Sequence, residues 1–179
     1  MEFSLRSFKR KSRKSKTALR RFMTRLEKNP PRLLDQLTAE IEKDVWKEVS
    51  CLSCSNCCRS MTPTYTLADM KRISSHFGMT VDEFKTKWLY KERGSGDWMN
   101  RKRPCQFLNL IDNKCSIYAI RPADCAGFPH LTKKKMPDYM HVHRQNIQYC
   151  PATLKMVEKL KERIFSGKII LRNFDQDVK

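Results

Sequence analysis

The sequence predicts a mainly α fold: a small, irregular, cysteine-rich domain with few or no short strands, flanked by helices. Three observations carry that expectation. Apolar residues recur at helical spacing in several segments between Leu19 and Ile164. All eight cysteines fall between residues 51 and 150, and four of them crowd into eight positions. A chain of 179 residues that is 40% hydrophobic can also bury a core without staples.

Leu19, Phe22, Met23 and Leu26 share one face of a first helix, which Asn29-Pro30-Pro31 stops. Pro31 suits the opening turn of a second helix, whose stripe is Leu33, Leu34, Leu37, Ile41, Val45 and Val49. Thr66 with Asp69 caps a third, with Leu67, Met70, Ile73 and Phe77 inward and Gly78 as its stop. Thr80 starts a fourth that carries Val81, Phe84 and Trp88. Residues 91–104 read as a polar loop, and its Gly94-Ser95-Gly96 lacks the further glycine and lysine of a phosphate cradle. Short turns are expected from Cys105 to Pro129, with a small hairpin around Asp112-Asn113-Lys114. Pro151 opens a last helix bearing Leu154, Val157, Leu160 and Ile164 and closed by Gly167, and Lys168-Ile169-Ile170-Leu171 reads as a short strand or helix remnant. The expected domains are a basic arm or helix at 1–32, a cysteine domain with flanking helices at 33–165, and a tail at 166–179.

Charge is unevenly placed. Residues 1–32 hold twelve Lys or Arg against two acids, a net +10 of the total +18, whereas the middle of the chain is nearly neutral. Like-charge blocks stay solvated or serve as interaction arms, so this segment reads either as a solubilising or helix-extending tail without a specific partner or as an arm for nucleic acid or an anionic surface. Phe3, Phe8 and Phe22 are its only aromatics, which is a poor platform for stacking single-stranded bases. No apolar run reaches the ~18 residues of a membrane span, and no signal-peptide core comes after the basic start. A cytoplasmic, reducing setting is expected, where clustered thiols bind metal or do redox work.

Cys51, Cys54, Cys57 and Cys58 form two overlapping C-x2-C units, a spacing that lets thiolates converge on one metal while turn N–H groups stabilise them. On a helix, Cys51, Cys54 and Cys58 would share a face; in a turn-rich wrap, three thiols would meet a cluster instead. Cys105, Cys115, Cys125 and Cys150 supply a second set. Soft thiolates select Zn2+, or Fe as an ion or an iron–sulfur cluster, over magnesium or calcium. The fold class is therefore completed as metal-centred. Eight sulfurs fill two four-thiolate sites without histidine, and each zinc site adds on the order of 10 kcal/mol to folding. His130, close to Cys125, is the one histidine considered as a substitute ligand.

The form C-x2-C-x2-C-C, the run Pro104-Cys105-Gln106-Phe107-Leu108, and Cys115 through Arg121-Pro122-Ala123-Asp124-Cys125 to Pro129 together resemble the YkgJ family, also called the CxxCxxCC or zinc/iron-chelating family. The resemblance spans roughly residues 50–150. It implies paired helices between the blocks and a chelating role for the seven cysteines from Cys51 to Cys125, with Cys150 beside them. Related cysteine blocks occur in a flagellin lysine N-methylase, but no glycine-rich fingerprint for its nucleotide cofactor stands here. From the residues themselves, Tyr118 and Phe128 are expected to pack over the cluster, Pro122 and Pro129 to fix turns, and Arg121 to bind a carbonyl or balance thiolate charge.

Three functions compete. The first is a metal-binding module without turnover. The second is an iron–sulfur oxidoreductase or transferase, although no Ser/His/Asp set or acid pair accompanies the cysteines. The third is a zinc-containing nucleic-acid-binding protein using its basic arm.

Overall fold

Helix-forming stretches with amphipathic spacing dominate the chain, and helices dominate the fold. The computed structural model describes residues 4–166, so the predicted stop at Gly167 and the segment 168–171 lie outside the described residues. Its contacts divide the chain into two units. One joins the segment that ends at Ser50 to the segment that begins at Pro129; the other is Cys51–Phe128.

The first unit packs four helices: α1 (Leu5–Lys28), α2 (Leu34–Glu48), α7 (Met140–Asn146) and α8 (Pro151–Phe165). Ser4 caps α1 through its hydroxyl. Phe8, Leu19, Phe22, Met23 and Leu26 are buried, so the basic block is the solvent face of one long amphipathic helix. Ser12 is buried among them and donates to the Ile147 carbonyl at 2.8 Å. α2 buries Leu34, Leu37, Ile41 and Val45. Leu33 does not join that stripe: it is the N-cap residue, and it is 60% exposed. α8 starts at Pro151 as expected and buries Leu154, Val157, Leu160 and Ile164. Ion pairs from Lys11 to Glu158, and from Lys155 and Lys159 to Glu48, lace the rim of this unit.

The second unit holds α3 (Asn56–Ser60), β1 (Thr64–Tyr65), α4 (Leu67–His76), α5 (Val81–Trp88), β2 (Leu89–Lys91), β3 (Trp98–Asn100) and α6 (Ala123–Gly127). Thr66 and Thr80 open α4 and α5 with complete capping boxes, reciprocated by Asp69 and Glu83. Gly78 lies just past the end of α4 at φ +62°, where a side chain would be strained. Leu67, expected inward, is 55% exposed: Met70 and Ile73 centre the buried face, and Leu67 sits at its edge in the first turn. The segment expected to be loop contributes an antiparallel sheet ordered β1-β3-β2, pairing Tyr65 with Trp98 and Leu89 with Asn100. Three-residue strands are too short to leave an alternating pattern. The expected hairpin near Asp112 is a single antiparallel bridge between Leu108 and Cys115, with Asn113 at φ +62° in its turn. Tyr65, Met70, Ile73, Phe84, Leu89, Phe107 and Ile117 form the core of this unit, and Cys105 and Cys115 pack against it.

His143 is wholly buried in the first unit, with no hydrogen bond to either ring nitrogen among the described residues. Burial, helped by the nearby His130 and His141, pushes it down to about 4 from an ordinary 6.5. The folded protein therefore keeps this ring neutral while the unfolded chain takes up a proton. Stability falls as pH drops from about 6.5 to about 4, by on the order of 3 kcal/mol from this group, and no further below. Denaturant melts across that window should show the decline in the wild type and a clearly flatter profile in His143→Leu.

Candidate metal centre

Seven of the eight predicted thiols lie in the Cys51–Phe128 unit, and local hydrogen bonding explains how each is placed. Cys51 begins a tight turn: its carbonyl accepts the N–H groups of Cys54 and Ser55 at 3.1 and 3.2 Å. Ser55 then adopts a left-handed conformation (φ +45°), and the chain enters α3, which carries Cys57 and Cys58. The cluster is thus a turn leading into a short helix, a combination of the two geometries that the spacing left open. Cys57 Sγ stands 3.9 Å from Cys58 Sγ.

The Cys58 carbonyl accepts the Cys105 N–H at 2.8 Å, which joins the first block to the second. Cys115 is held by the Leu108 bridge and by the Ser116 N–H, which donates to the Phe107 carbonyl at 2.8 Å. Cys125 rides on α6, which the buried Pro122 opens. Cys150 belongs to the other unit, where it is buried at the N-cap of α8. His130 belongs to that unit as well, and its ring lies 6.1 Å from that of Tyr139.

None of the eight cysteines is in a disulfide. Burial first, and the negative charge of Cys58 besides, raises the thiols of Cys51, Cys105, Cys115 and Cys125. Burial also raises Cys54, with added repulsion from Cys51 and Cys58. Cys58 goes the other way: the Cys57 hydrogen bond, aided by its backbone N–H and by Arg59, brings it to about 7 against the opposing effect of burial. Cys58 therefore stands electrostatically at the middle of the set. Three thiols share one local device, a backbone N–H two residues further on: Asn56 for Cys54, Phe107 for Cys105 and Ile117 for Cys115. Among the described residues, no three His, Cys, Asp or Glu side chains are gathered closely enough to hold an ion as they stand.

Residues that the cysteine spacing did not reveal hold the blocks in place. Asn100 is buried at the end of β3; its Nδ2 donates to Cys105 Sγ at 3.2 Å, and its Oδ1 accepts from Tyr65 (2.6 Å) and Gln106 (2.9 Å). Asp69, 1% exposed, accepts from the Thr66 N–H and hydroxyl, from Arg72, and from the Ala123 N–H that opens α6. Burial opposes its charge, but those hydrogen bonds outweigh burial and lower its pKa. Arg59 donates to Asn113 Oδ1 at 2.7 Å and to the Leu110 carbonyl at 3.3 Å, clasping the turn between Cys105 and Cys115. Arg121 donates to the Tyr118 carbonyl and lies 3.9 Å over the Tyr118 ring, and its charge lowers Cys51 and Cys115. Tyr118 is therefore not a lid over the thiols: it is 41% exposed and serves as the platform for Arg121.

Asn113 combines a left-handed backbone with an acceptor shared by Ser55 and Arg59. Asn113→Gly keeps the backbone and deletes the acceptor, and should cost about 1–2 kcal/mol in chemical denaturation. Asn113→Ala should cost more, because it adds the strain of a positive φ.

A family model described as "CxxCxxCC: Putative zinc- or iron-chelating domain" matches residues 50–151, more than half of the chain. One curated relative, Uncharacterized protein MJ0661 of Methanocaldococcus jannaschii, is 30% identical over 81 residues, covering 45% of this chain and 43% of the relative. The chain thus spans less than half the length of that relative. No solved structure matches.

Proposed function

Because the chain belongs to the CxxCxxCC family, we propose that its Cys51–Phe128 unit chelates zinc or iron through cysteine thiolates. The observation that carries this reading is seven cysteines within one unit, their blocks joined by the Cys105 N–H on the Cys58 carbonyl, with three of the thiols already supplied with a backbone N–H. Donor chemistry supports it, since an all-sulfur set is what zinc, iron and iron–sulfur clusters take in preference to harder cations. Electrostatics supports it too. Each thiolate raises its neighbours, so a set of this kind stays protonated until a cation offsets the repulsion.

Cys51, Cys54, Cys57, Cys58, Cys105, Cys115 and Cys125 are the proposed donors, and Cys150 is kept with them on sequence grounds. A bound metal supplies positive charge and cross-links the separated blocks. The chain's own residues prepare for it: Asn100 orients the Cys105 sulfur, Arg121 favours ionised Cys51 and Cys115, and Arg59 with Asn113 fixes the turn between Cys105 and Cys115. Eight cysteines outside any disulfide also fit a reducing compartment such as the cytoplasm. The role is chelation, with no turnover assigned.

Anaerobic purification, then metal analysis and a visible spectrum, tests this reading. The expected result is stoichiometric zinc in a colourless protein or iron in a coloured one. A folded sample without metal, whose thiols all react freely with an alkylating reagent, would refute it. Cys115→Ser should lose at least half of the bound metal and melt earlier. Cys150→Ser with undiminished metal would remove that residue from the donor set.

A further inference from the structure

Beyond the thiols, the first unit carries a groove of about 620 Å³ lined by five cationic side chains and two threonines. Lys16, Arg20, Arg21 and Arg25 line it from α1, Arg144 lines it from α7, and the hydroxyls of Thr17 and Thr24 lie between them. The sequence dictates the arrangement. Lys16-Arg20-Thr24 and Thr17-Arg21-Arg25 are two adjacent ladders at i, i+4 spacing on the face opposite Leu19, Phe22, Met23 and Leu26.

Some cations of this unit are matched with acids, as in Lys11–Glu158 and Lys159–Glu48. Here they are not: among the described residues, Lys16, Arg20, Arg21 and Arg25 have no acidic partner. Arg144 differs, because both of its terminal nitrogens are fixed on Glu27 at 2.8–3.0 Å and its Nη1 also reaches the Thr24 hydroxyl at 3.4 Å. It is a pre-positioned cation at the edge of the set. Five positive groups against one carboxylate repel one another unless an external anion enters.

We propose that this groove binds the phosphate backbone of double-stranded nucleic acid. From residue 16 to residue 25 the helix rises about 13–14 Å, so the cations form an extended row rather than a point site. A row of cations therefore meets a row of anions. The apolar face of α1 is buried inside the unit, and none of the exposed large hydrophobics lies on this helix, so it has nothing to insert into a lipid layer. No aromatic ring lines the groove, so unpaired bases find no stacking platform. Recognition runs through charge and the Thr17 hydroxyl, since the Thr24 hydroxyl already donates to the Arg20 carbonyl, and it does not read sequence.

The test uses the full chain, metal-loaded as purified, with labelled duplex DNA and duplex RNA in anisotropy titrations over a salt series. Wild type is compared with Arg20→Glu/Arg21→Glu/Arg25→Glu and with Lys133→Glu/Lys134→Glu/Lys135→Glu, which makes the same change in net charge at exposed positions off the groove. The groove variant should bind duplex at least tenfold more weakly, and its slope of log affinity against log salt should shrink by about 3. The control should stay within about twofold. Equal losses in both variants would make the binding a bulk-charge effect and overturn the proposal, as would wild-type protein that prefers anionic phospholipid vesicles or single strands to duplex. Should the triple variant melt early, the single exposed change Arg21→Gln serves instead; unchanged affinity and an unchanged salt slope there would also overturn it. Metal content read in parallel keeps this result separate from the thiol reading.

Discussion

Burial of clustered thiols, with their mutual repulsion added to it, is the constraint on which the Cys51–Phe128 unit depends. Sulfur brought together in partly buried surroundings is hard to ionise, and five of the seven thiols are pushed up by burial and by Cys58. The unit counters this with dipoles and local cations. Backbone N–H groups two residues beyond Cys54, Cys105 and Cys115 are short-range donors that survive solvent screening, and Arg59 and Arg121 add charge at close quarters. These donors favour the thiolate without neutralising the set, which leaves a net attraction for a soft cation.

Holding blocks that are ten or more residues apart requires polar anchors that a hydrophobic core alone cannot supply. The core of Met70, Ile73, Phe84, Leu89, Phe107 and Ile117 backs Cys105 and Cys115, but apolar contact is non-directional. Direction comes from Asp69, Asn100 and Arg59. Asp69 ties the start of α6 to the cap of α4, so the helix carrying Cys125 is positioned by a residue more than fifty places upstream. Asn100 does the same for Cys105 through the sheet that the 91–104 segment helps to build. Removing either anchor leaves a buried polar partner unsatisfied, which is costlier than losing one hydrogen bond between exposed groups.

The helices were legible because their signals are local. Caps at Thr66 and Thr80, the stop at Asn29-Pro30-Pro31 and the start at Pro151 all act within a single turn, and each falls where the pattern put it. Short elements were not. Strands of two or three residues show no period, and α3 and α6 span barely more than one helical turn. Leu33 and Leu67 misled because spacing marks a face but not its edge, and both sit at a helix start where the side chain reaches solvent. The thiols stood out by number and spacing, whereas Asp69, Asn100, Arg59 and Asn113 act through long-range partners that one sequence cannot display. Tyr118 was read as a lid because aromatic rings usually cover metal sites; here a neighbouring arginine claims the ring.

The net charge of +18 does not serve the thiols. The arginines that lower individual cysteines are Arg59 and Arg121, both within the Cys51–Phe128 unit, and neither belongs to the basic block of residues 1–32. That block is the outer face of α1, whose inner face is committed to the core of the other unit. A cation on a solvated helix costs little, and four of those on α1 share one groove with Arg144, which Glu27 holds in place. The clustered thiols and the unpaired cations of α1 therefore stand in different units of the chain.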